Sequence, residues 1–215
     1  MKILIFGANG KTGRELLAQA AASGHEVTAF VRNPATLDGV EPRPRIVAGD
    51  VLRDPGAVAA ALRGQDAVIS ALGRGYSLRA HGLMAGAMRV ILPAMAAAGV
   101  RRLVVVSAFG VGATRRDASP VQRAIFALPL RFLYADKLVA EAAIRAAEID
   151  FTLLYPVRLV DGPPTGRYEM APRLEMKGAP KISRGDVAHA CLAVLEDPST
   201  HGESYVLRDG DRQPA

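Results

Sequence analysis

The sequence predicts one α/β domain built on a doubly wound parallel sheet with helices on both faces. A short apolar run at 3–6 ends in glycines spaced G-x-x-G-x-x-G, and a helical stretch and a second apolar run follow. Apolar runs and helical stretches then keep alternating to about residue 207. This alternation is typical of βαβ units with right-handed crossovers, which together form a fold of the Rossmann type.

Each element has a local signal. The predicted strands are apolar runs bounded by turn residues, at 3–6, 27–31, 47–50, 66–72, 103–106, 151–155 and 204–207. The predicted helices lie at 15–22, 55–62, 81–98, 133–147 and 183–195, with a weaker one at 121–127. Asp54 and Pro55 are residue types favoured where a helix begins, Gly99 ends the third helix, and Ser183 caps the last.

The organisation that follows is one nucleotide-binding domain over residues 1–208 and a loose tail over 209–215. The segments at 109–129 and 158–180 are expected to be acceptor-site loops, because they are irregular and follow predicted strands. The second of them is rich in glycine and proline.

The glycine turn predicts a dinucleotide site. Gly7 lets the chain turn as it leaves the strand, Gly10 lets the backbone approach a pyrophosphate, and Gly13 lets the helix pack close to the sheet. Free amide groups where a helix begins attract phosphate. The cofactor-binding residues expected in this turn are Gly7, Asn9, Gly10, Lys11, Thr12 and Gly13.

The end of the second strand favours NADP(H) over NAD(H). NAD sites usually place a carboxylate here for the ribose hydroxyls, whereas this chain has Arg32 and Asn33. An arginine can pair with the 2′-phosphate and stack on adenine. The other interpretation of Arg32 is a solvated side chain with no part in binding.

The remaining site candidates follow the other strands, because ligands of a doubly wound sheet bind beyond the carboxyl ends of its strands. For the cofactor these candidates are Asp50, Val51, Ala71, Leu72, Gly73, Ser107, Ala108, Phe109, Pro156 and Val157. Arg158 follows at the same edge and faces the acceptor side.

Charge and composition exclude several classes of function. The net charge is +6, but no basic run is interleaved with aromatic residues, so nucleic-acid binding is not indicated. No apolar stretch reaches the roughly 20 residues of a membrane span, no signal peptide is visible, and the histidines show no metal-ligand spacing. We expect a soluble cytoplasmic protein without a metal, a monomer or weak homodimer, with its one cysteine, Cys191, in the core.

Several motifs resemble the atypical branch of the short-chain dehydrogenase/reductase superfamily. They are GANGKTG at 7–13, VRNP at 31–34, GDV at 49–51, VVSAF at 105–109 and ISRGDVAHA at 182–190. Within that branch, the chain is similar to NADPH-dependent flavin reductases, also called biliverdin-IXβ reductases. The shared segments are EVTAFVR at 26–32, PRPRIVAGDVL at 42–52, GQDAVISALG at 64–73 and DGPPTGRY at 161–168.

The resemblance implies roles for the strand-end residues. It implies that Asp50 and Val51 lie beside the adenine, that 71–73 runs along the cofactor's ribose, and that Ser107 lies beside the nicotinamide. The NmrA-like group, which is more distant, shares the glycine motif.

The chain departs from the superfamily at the proton donor. Standard members carry tyrosine and lysine four residues apart, and the tyrosine transfers the proton. Here Tyr134 and Lys137 are three apart, and Leu133 holds the expected tyrosine position, so the usual donor is missing. Lys137 is expected to contact the nicotinamide ribose; the other interpretation is a solvated lysine paired with Glu141.

A second departure concerns the acceptor. Flavin reductases carry a histidine two residues after the proline that ends the sixth strand, where this chain has Arg158. Arginine keeps its proton near pH 7 but can hold a carboxylate or phosphate. We therefore expect Arg158 to bind an anionic part of the acceptor, and Tyr76 and Phe109 to line the acceptor pocket.

Together these residues predict an NADPH-dependent reductase that passes hydride to a flat, conjugated acceptor of the flavin, quinone or tetrapyrrole type. Ser107, Lys137 and Arg158 form the expected catalytic set. Such a reaction needs little acid–base help, because the cofactor carries the chemistry. The alternative is an NADP(H)-binding redox sensor of the NmrA-like type, without turnover. A sugar-nucleotide epimerase is disfavoured by the short chain and the missing tyrosine.

Overall fold

The computed structural model describes residues 1–73, 82–118, 122–123, 131–176 and 178–210. Its strands are β1 Lys2–Phe6, β2 Glu26–Val31, β3 Arg45–Ala48, β4 Ala67–Ser70, β5 Arg102–Val106, β6 Asp150–Pro156, β7 Arg158–Val160, β8 Tyr168–Ala171, β9 Lys181–Ser183 and β10 Glu203–Asp209. Its α-helices are α1 Lys11–Ala22, α2 Pro55–Leu62, α3 Leu83–Ala98, α4 Arg131–Ala146 and α5 Arg184–Glu196. Short 3-10 helices lie at Pro34–Leu37, Gly112–Asp117 and Pro198–Thr200.

Eight of these strands form one sheet in the order β3-β2-β1-β4-β5-β6-β10-β8. All its pairs are parallel except that β8 runs antiparallel to β10. Ile3 in β1 aligns with Val27 of β2 on one side and with Ala67 of β4 on the other. The strand order therefore reverses direction between β1 and β4, where a doubly wound sheet opens a crevice for ligands. The predicted Rossmann-type architecture is confirmed.

The helices cover the sheet in two layers. α1 packs against α5, while α3 packs against both α2 and α4. The central strands β1, β4 and β5 are buried along nearly their whole length, which explains why they are continuous apolar runs in the sequence. Cys191 lies in this core as predicted, and burial raises the pKa of its thiol to about 12.

The structure differs from the sequence prediction at element ends and at one cap. α1 begins at Lys11, a full turn before the predicted start, so the helix follows the glycine turn directly. β4 ends at Ser70, which leaves 71–73 beyond the strand. Asp54 is the N-cap residue of α2 as predicted, but its carboxylate makes no capping hydrogen bond and accepts the amide of Asp50 at 2.7 Å instead. β10 extends to Asp209, where the tail was expected to begin.

Three predictions lie wholly or mostly outside the described residues, namely Tyr76 as a pocket residue, the weaker helix at 121–127 and the loose tail at 209–215. Within the described ranges, no helix is long and apolar enough to cross a membrane. The same ranges contain no group of three or more His, Cys, Asp or Glu side chains placed to hold a metal ion.

Candidate active site

The glycine turn has two glycines that the fold itself requires and one that it does not. Gly7 has a positive φ of 79°, and a Cβ there would lie 2.6 Å from the carbonyl oxygen of Ala71. A Cβ on Gly13 would lie 2.1 Å from the carbonyl oxygen of Gly7. A Cβ on Gly10 meets only that oxygen, at 3.3 Å, and Gly10 has an ordinary extended φ of −72°. The open space above Gly10 is therefore where a ligand can approach the backbone.

The start of α1 is suited to an anion. Gly10 is its N-cap and supplies no side-chain hydrogen bond, and the first turn contains no acidic residue. The first amide groups of a helix have no partner within the helix, and the helix dipole makes this end positive. The residues present therefore fit a pyrophosphate above the turn.

A groove of about 510 Å³ opens beside this turn. It runs across the carboxyl ends of β1, β2, β3 and β4, as the switch in strand order predicts. Nine residues predicted to bind the cofactor line it: Gly7, Asn9, Gly10, Arg32, Asp50, Val51, Ala71, Leu72 and Gly73.

The other nine residues predicted for the cofactor do not line this groove, and four of these nine lie in the glycine turn or just after β2. Gly13 is buried under the turn, and Thr12 is half-buried next to it. Lys11 donates to a carboxylate oxygen of Asp161 at 2.6 Å. Asn33 uses its side-chain oxygen to accept the amide of Ala35, which caps a 3-10 helix.

Two arginines stand at the end of the groove formed by β2 and β3. Arg32 follows β2, and Arg53 lies in the turn after β3; both are exposed and both line the groove. Neither guanidinium has a hydrogen bond or ion pair with another described residue. The Asp50 carboxylate accepts the amide of Leu52 at 2.9 Å and so shapes the turn that carries Arg53. Arg53 was not predicted as a site residue, although it directly follows the GDVL segment at 49–52 and so lies just beyond a predicted strand.

Beyond the groove, Ser107 belongs to a buried polar cluster. Its hydroxyl donates to one carboxylate oxygen of Glu141 at 2.6 Å, and the phenol of Tyr155 donates to the other at 2.8 Å. All three residues are buried, although Ser107 follows β5, Glu141 lies on α4 and Tyr155 lies in β6. Burial, and next the negative charge of Glu141, raise the pKa of Tyr155 well above its usual range. The phenol therefore keeps its proton.

Lys137 lies one turn before Glu141 and is only 7% exposed. Burial lowers the pKa of its ammonium to about 8, against the opposing effect of the Glu141 and Asp136 carboxylates. Lys137 is therefore not a solvated side chain, although the Glu141 carboxylate does act on its pKa. Asp136 accepts the amides of Met84 and Ala85 at 2.9 and 3.0 Å, and so ties α4 to the start of α3.

Tyr134 does not replace the missing tyrosine. Its hydroxyl donates to the backbone carbonyl of Phe109 at 3.0 Å, and burial raises its pKa to about 12. A tyrosine that acts as a proton donor near neutral pH needs the opposite shift. The side chain of Phe109, expected to line the acceptor pocket, is 4% exposed and packs in the core.

The end of β6 brings the last predicted residues to the same edge of the sheet. The carbonyl of Pro156 accepts the amide of Phe109 at 3.0 Å, so the segments after β5 and β6 run side by side; Ala108 lies half-buried between them. Val157 is buried. Arg158, the first residue of β7, is exposed, and its guanidinium has no partner among the described residues.

A second cavity of about 550 Å³ lies on the far side of Glu141 and Tyr155. It is bounded by the 3-10 segment Gly112–Asp117, by α4 and by 172–173. Arg116, Arg145 and Arg173 line it, and Arg173 pairs with Asp117 at 2.5 Å. Both expected acceptor loops therefore contribute to one basic cavity.

Asp186 holds the first part of the 158–180 loop in place. Its carboxylate accepts the amides of Thr165 and Gly166 at 2.6 and 2.9 Å and the hydroxyl of Ser183 at 2.8 Å. Burial acts to raise the pKa of Asp186, but these hydrogen bonds outweigh it and the net shift is downward. The ISRGD motif is thus explained by a structural contact between the loop and the start of α5.

Comparison with known proteins gives a family and several relatives. A family model described as NAD(P)H-binding matches residues 7–198. YhfK of Bacillus subtilis, an uncharacterized sugar epimerase, is 30% identical over 217 residues, covering 98% of this chain and 95% of its own. YwnB of the same organism, an uncharacterized protein, is 31% identical over 217 residues, covering 96% and 98%.

Among solved structures, ChuY, an anaerobilin reductase from Escherichia coli O157:H7, is 27% identical with a TM-score of 0.81. The alignment covers 100% of each chain. The likeness therefore extends over both the groove and the acceptor-side loops.

Proposed function

The chain belongs to the NAD(P)H-binding family, and we propose that it is an NADPH-dependent reductase acting on a flat, conjugated acceptor. When bound, the cofactor supplies the hydride, and water supplies the proton that completes the two-electron reduction. The protein's own part is to hold the two rings face to face and to exclude other reactions.

The groove beside the glycine turn is the observation that carries this proposal. Its lining covers the ends of β1 to β4, which is enough for the adenosine and pyrophosphate, and its last part is 71–73. The next strand ends along the sheet belong to β5 and β6, where Ser107 and Val157 follow. A nicotinamide that continues past 71–73 meets Ser107 first, and Lys137 lies buried behind it.

The preference for the phosphorylated cofactor rests on Arg32 and Arg53. Two unpaired guanidinium groups at one end of the groove favour a ligand with two negative charges there. A guanidinium can form two parallel hydrogen bonds to a phosphate, whereas a ribose hydroxyl offers it far less. Asp50, the nearest carboxylate in the groove, is already used to shape the turn.

The kind of acceptor follows from the tyrosines. The hydroxyls of Tyr134 and Tyr155 both point their protons at fixed partners, a backbone carbonyl and the Glu141 carboxylate, so neither is aimed at an alkoxide. A conjugated acceptor spreads the incoming negative charge and needs less help from an acid. The reductase activity named for ChuY supports a tetrapyrrole-type acceptor among these.

Arg158 and the basic cavity favour an acceptor with an anionic substituent. Arg158 is exposed beside the end of β6, and three further arginines line the cavity behind Glu141. Propionate or phosphate groups, which bilins and flavin mononucleotide carry, suit such a surface.

The experiment is a titration with NADPH and NADH, followed by NADPH oxidation assays. Flavin mononucleotide, a quinone, dichlorophenolindophenol and biliverdin are the acceptors. We expect NADPH to bind at least about tenfold more tightly than NADH, since one charged hydrogen bond contributes about that much. We also expect NADPH oxidation with at least one acceptor.

Turnover with NADPH deuterated at one or the other C4 position distinguishes transfer by the protein from a background reaction, because a bound nicotinamide gives up the hydrogen of one face only. Tight NADPH binding with no turnover of any acceptor would contradict the reductase proposal and favour a redox-sensing regulator instead. Interconversion of a sugar nucleotide without net NADPH oxidation would favour an epimerase, the activity in the name of YhfK.

A further inference from the structure

We propose that Glu141 fixes the direction of the Ser107 hydroxyl, so that Ser107 accepts a hydrogen bond from the carboxamide of a bound nicotinamide. Ser107 would then hold the ring through its lone pairs and would donate no hydrogen bond to the acceptor. Glu141 is a positioning residue in this arrangement, since it acts through Ser107. The inference rests on the proposed function, because it places the nicotinamide beside Ser107.

The single proton of the Ser107 hydroxyl limits which partners the residue can have. A serine hydroxyl has one proton, and a carboxylate has none to give. The Ser107 proton points to Glu141 at 2.6 Å, so only lone pairs remain for any other partner of Ser107. A partner on the cofactor side must therefore be a donor.

Glu141 is held in its role from the other side. Tyr155 donates to its second oxygen at 2.8 Å, and the buried ammonium of Lys137 lies one helical turn away. Glu141 is itself 5% exposed, so bulk water does not compete for its oxygens. Each carboxylate oxygen of Glu141 therefore accepts one hydrogen bond, from Ser107 on one side and from Tyr155 on the other.

The carboxamide of the nicotinamide is the group that suits a serine able only to accept. A reduced nicotinamide has one kind of hydrogen-bond donor, the amide nitrogen of its carboxamide. A serine that can only accept is therefore matched to that group and mismatched to a carbonyl. Holding the carboxamide fixes the rotation of the ring and so selects which face it offers to the acceptor.

The experiment compares cofactor analogues by equilibrium binding, so it needs no turnover. The reduced 3-acetylpyridine analogue of NADPH has a methyl ketone in place of the carboxamide and lacks the donor. The thionicotinamide analogue keeps the N–H donor and serves as the ligand control. We expect the wild type to bind NADPH and the thio analogue about tenfold more tightly than the acetyl analogue.

The variants assign this preference to the two residues. Ser107→Ala is expected to bring the preference for NADPH over the acetyl analogue to below about twofold, because the lone-pair partner is gone. Glu141→Leu is expected to reduce the preference to the same extent. Without the carboxylate, the Ser107 hydroxyl can turn and donate its proton to the ketone of the acetyl analogue. Tyr155→Phe leaves the Ser107–Glu141 hydrogen bond in place and is expected to keep the preference.

A preference that survives in Ser107→Ala, or equal wild-type binding of all three cofactors, overturns the inference while leaving the proposed function intact. If Glu141→Leu does not fold, the wild type and Ser107→Ala still decide the matter. If no NADPH binding is measured at all, the proposed function itself fails.

Discussion

The hydroxyl of Tyr134 and the backbone carbonyl of Phe109 are joined by a 3.0 Å hydrogen bond. This contact fixes the segment after β5 against α4 and uses the phenol that comes one residue after Leu133, the position of the superfamily's proton donor.

The first prediction is that Tyr134→Phe stays active. Its kcat for NADPH oxidation should remain within about threefold of the wild type, whereas loss of a true acid–base residue costs about a hundredfold or more. The free energy of unfolding should fall by about 1 kcal/mol, since one hydrogen bond is lost. A hundredfold loss of kcat with normal NADPH affinity would mean that Tyr134 is the acid after all.

The glycines of the turn predict two different failures. Gly13→Ala puts a methyl group 2.1 Å from the Gly7 oxygen, so the free energy of unfolding should fall by about 3 kcal/mol. Gly10→Ala has no such clash within the protein, so its free energy of unfolding should stay within about 1 kcal/mol of the wild-type value. Its methyl group stands in the groove, so NADPH affinity should fall at least about tenfold. Urea unfolding and fluorescence titration of both variants check the contrast.

The lowered pKa of Lys137 predicts that NADPH binding weakens as pH rises. The ammonium form prevails below its pKa of about 8 and is lost above it. If the ammonium contacts the ribose, the dissociation constant of NADPH should rise as pH passes through about 8. The Lys137→Met variant should bind NADPH weakly, with a dissociation constant that does not change with pH.

The lowered pKa of Lys137 also predicts that the free energy of unfolding rises with pH, whereas NADPH binding weakens. The unfolded chain binds the Lys137 proton up to about pH 10.4, so the free energy of unfolding should rise with pH between about 8 and about 10.4. Lys137→Met should lack this rise. An identical pH profile in both proteins would contradict the assignment of this rise to Lys137.

The carboxylate of Asp186 predicts a loss of stability in acid. Its pKa is lowered in the folded protein, so its contribution is complete above the unfolded value of about 3.9 and is lost as pH falls through the folded value. Asp186→Asn should lower the free energy of unfolding by about 2 kcal/mol at neutral pH, with a smaller difference in acid. The exposed Asp38→Asn is the control, and a constant difference at all pH values would contradict the assignment.

The sequence was sufficient for the fold and for most of the groove. Strands such as β4 are buried on both faces, so their apolar runs stand out, and the parallel order puts their carboxyl ends at one edge. Asp50 and 71–73 could be placed beside the groove because they directly follow strands. Local pattern and topology are enough for such positions.

The Ser107 cluster could not be predicted in the same way. Glu141 lies on α4 and its position after Lys137 suggested an exposed i,i+4 pair, whereas both residues are buried. Which face of α4 meets β5 depends on packing across the whole layer. The contact between Lys11 and Asp161, which joins the glycine turn to the acceptor-side loop, likewise had no local signal.

Among the described residues, the groove is lined by residues between Phe6 and Leu83, whereas Ser107, Glu141, Tyr155 and Arg158 all come later in the chain. The groove is thus encoded in one contiguous stretch, and the cluster around Ser107 is assembled from separate segments. An exchange of the second half between relatives is therefore expected to leave the groove unchanged while it replaces the Ser107 cluster and Arg158 together.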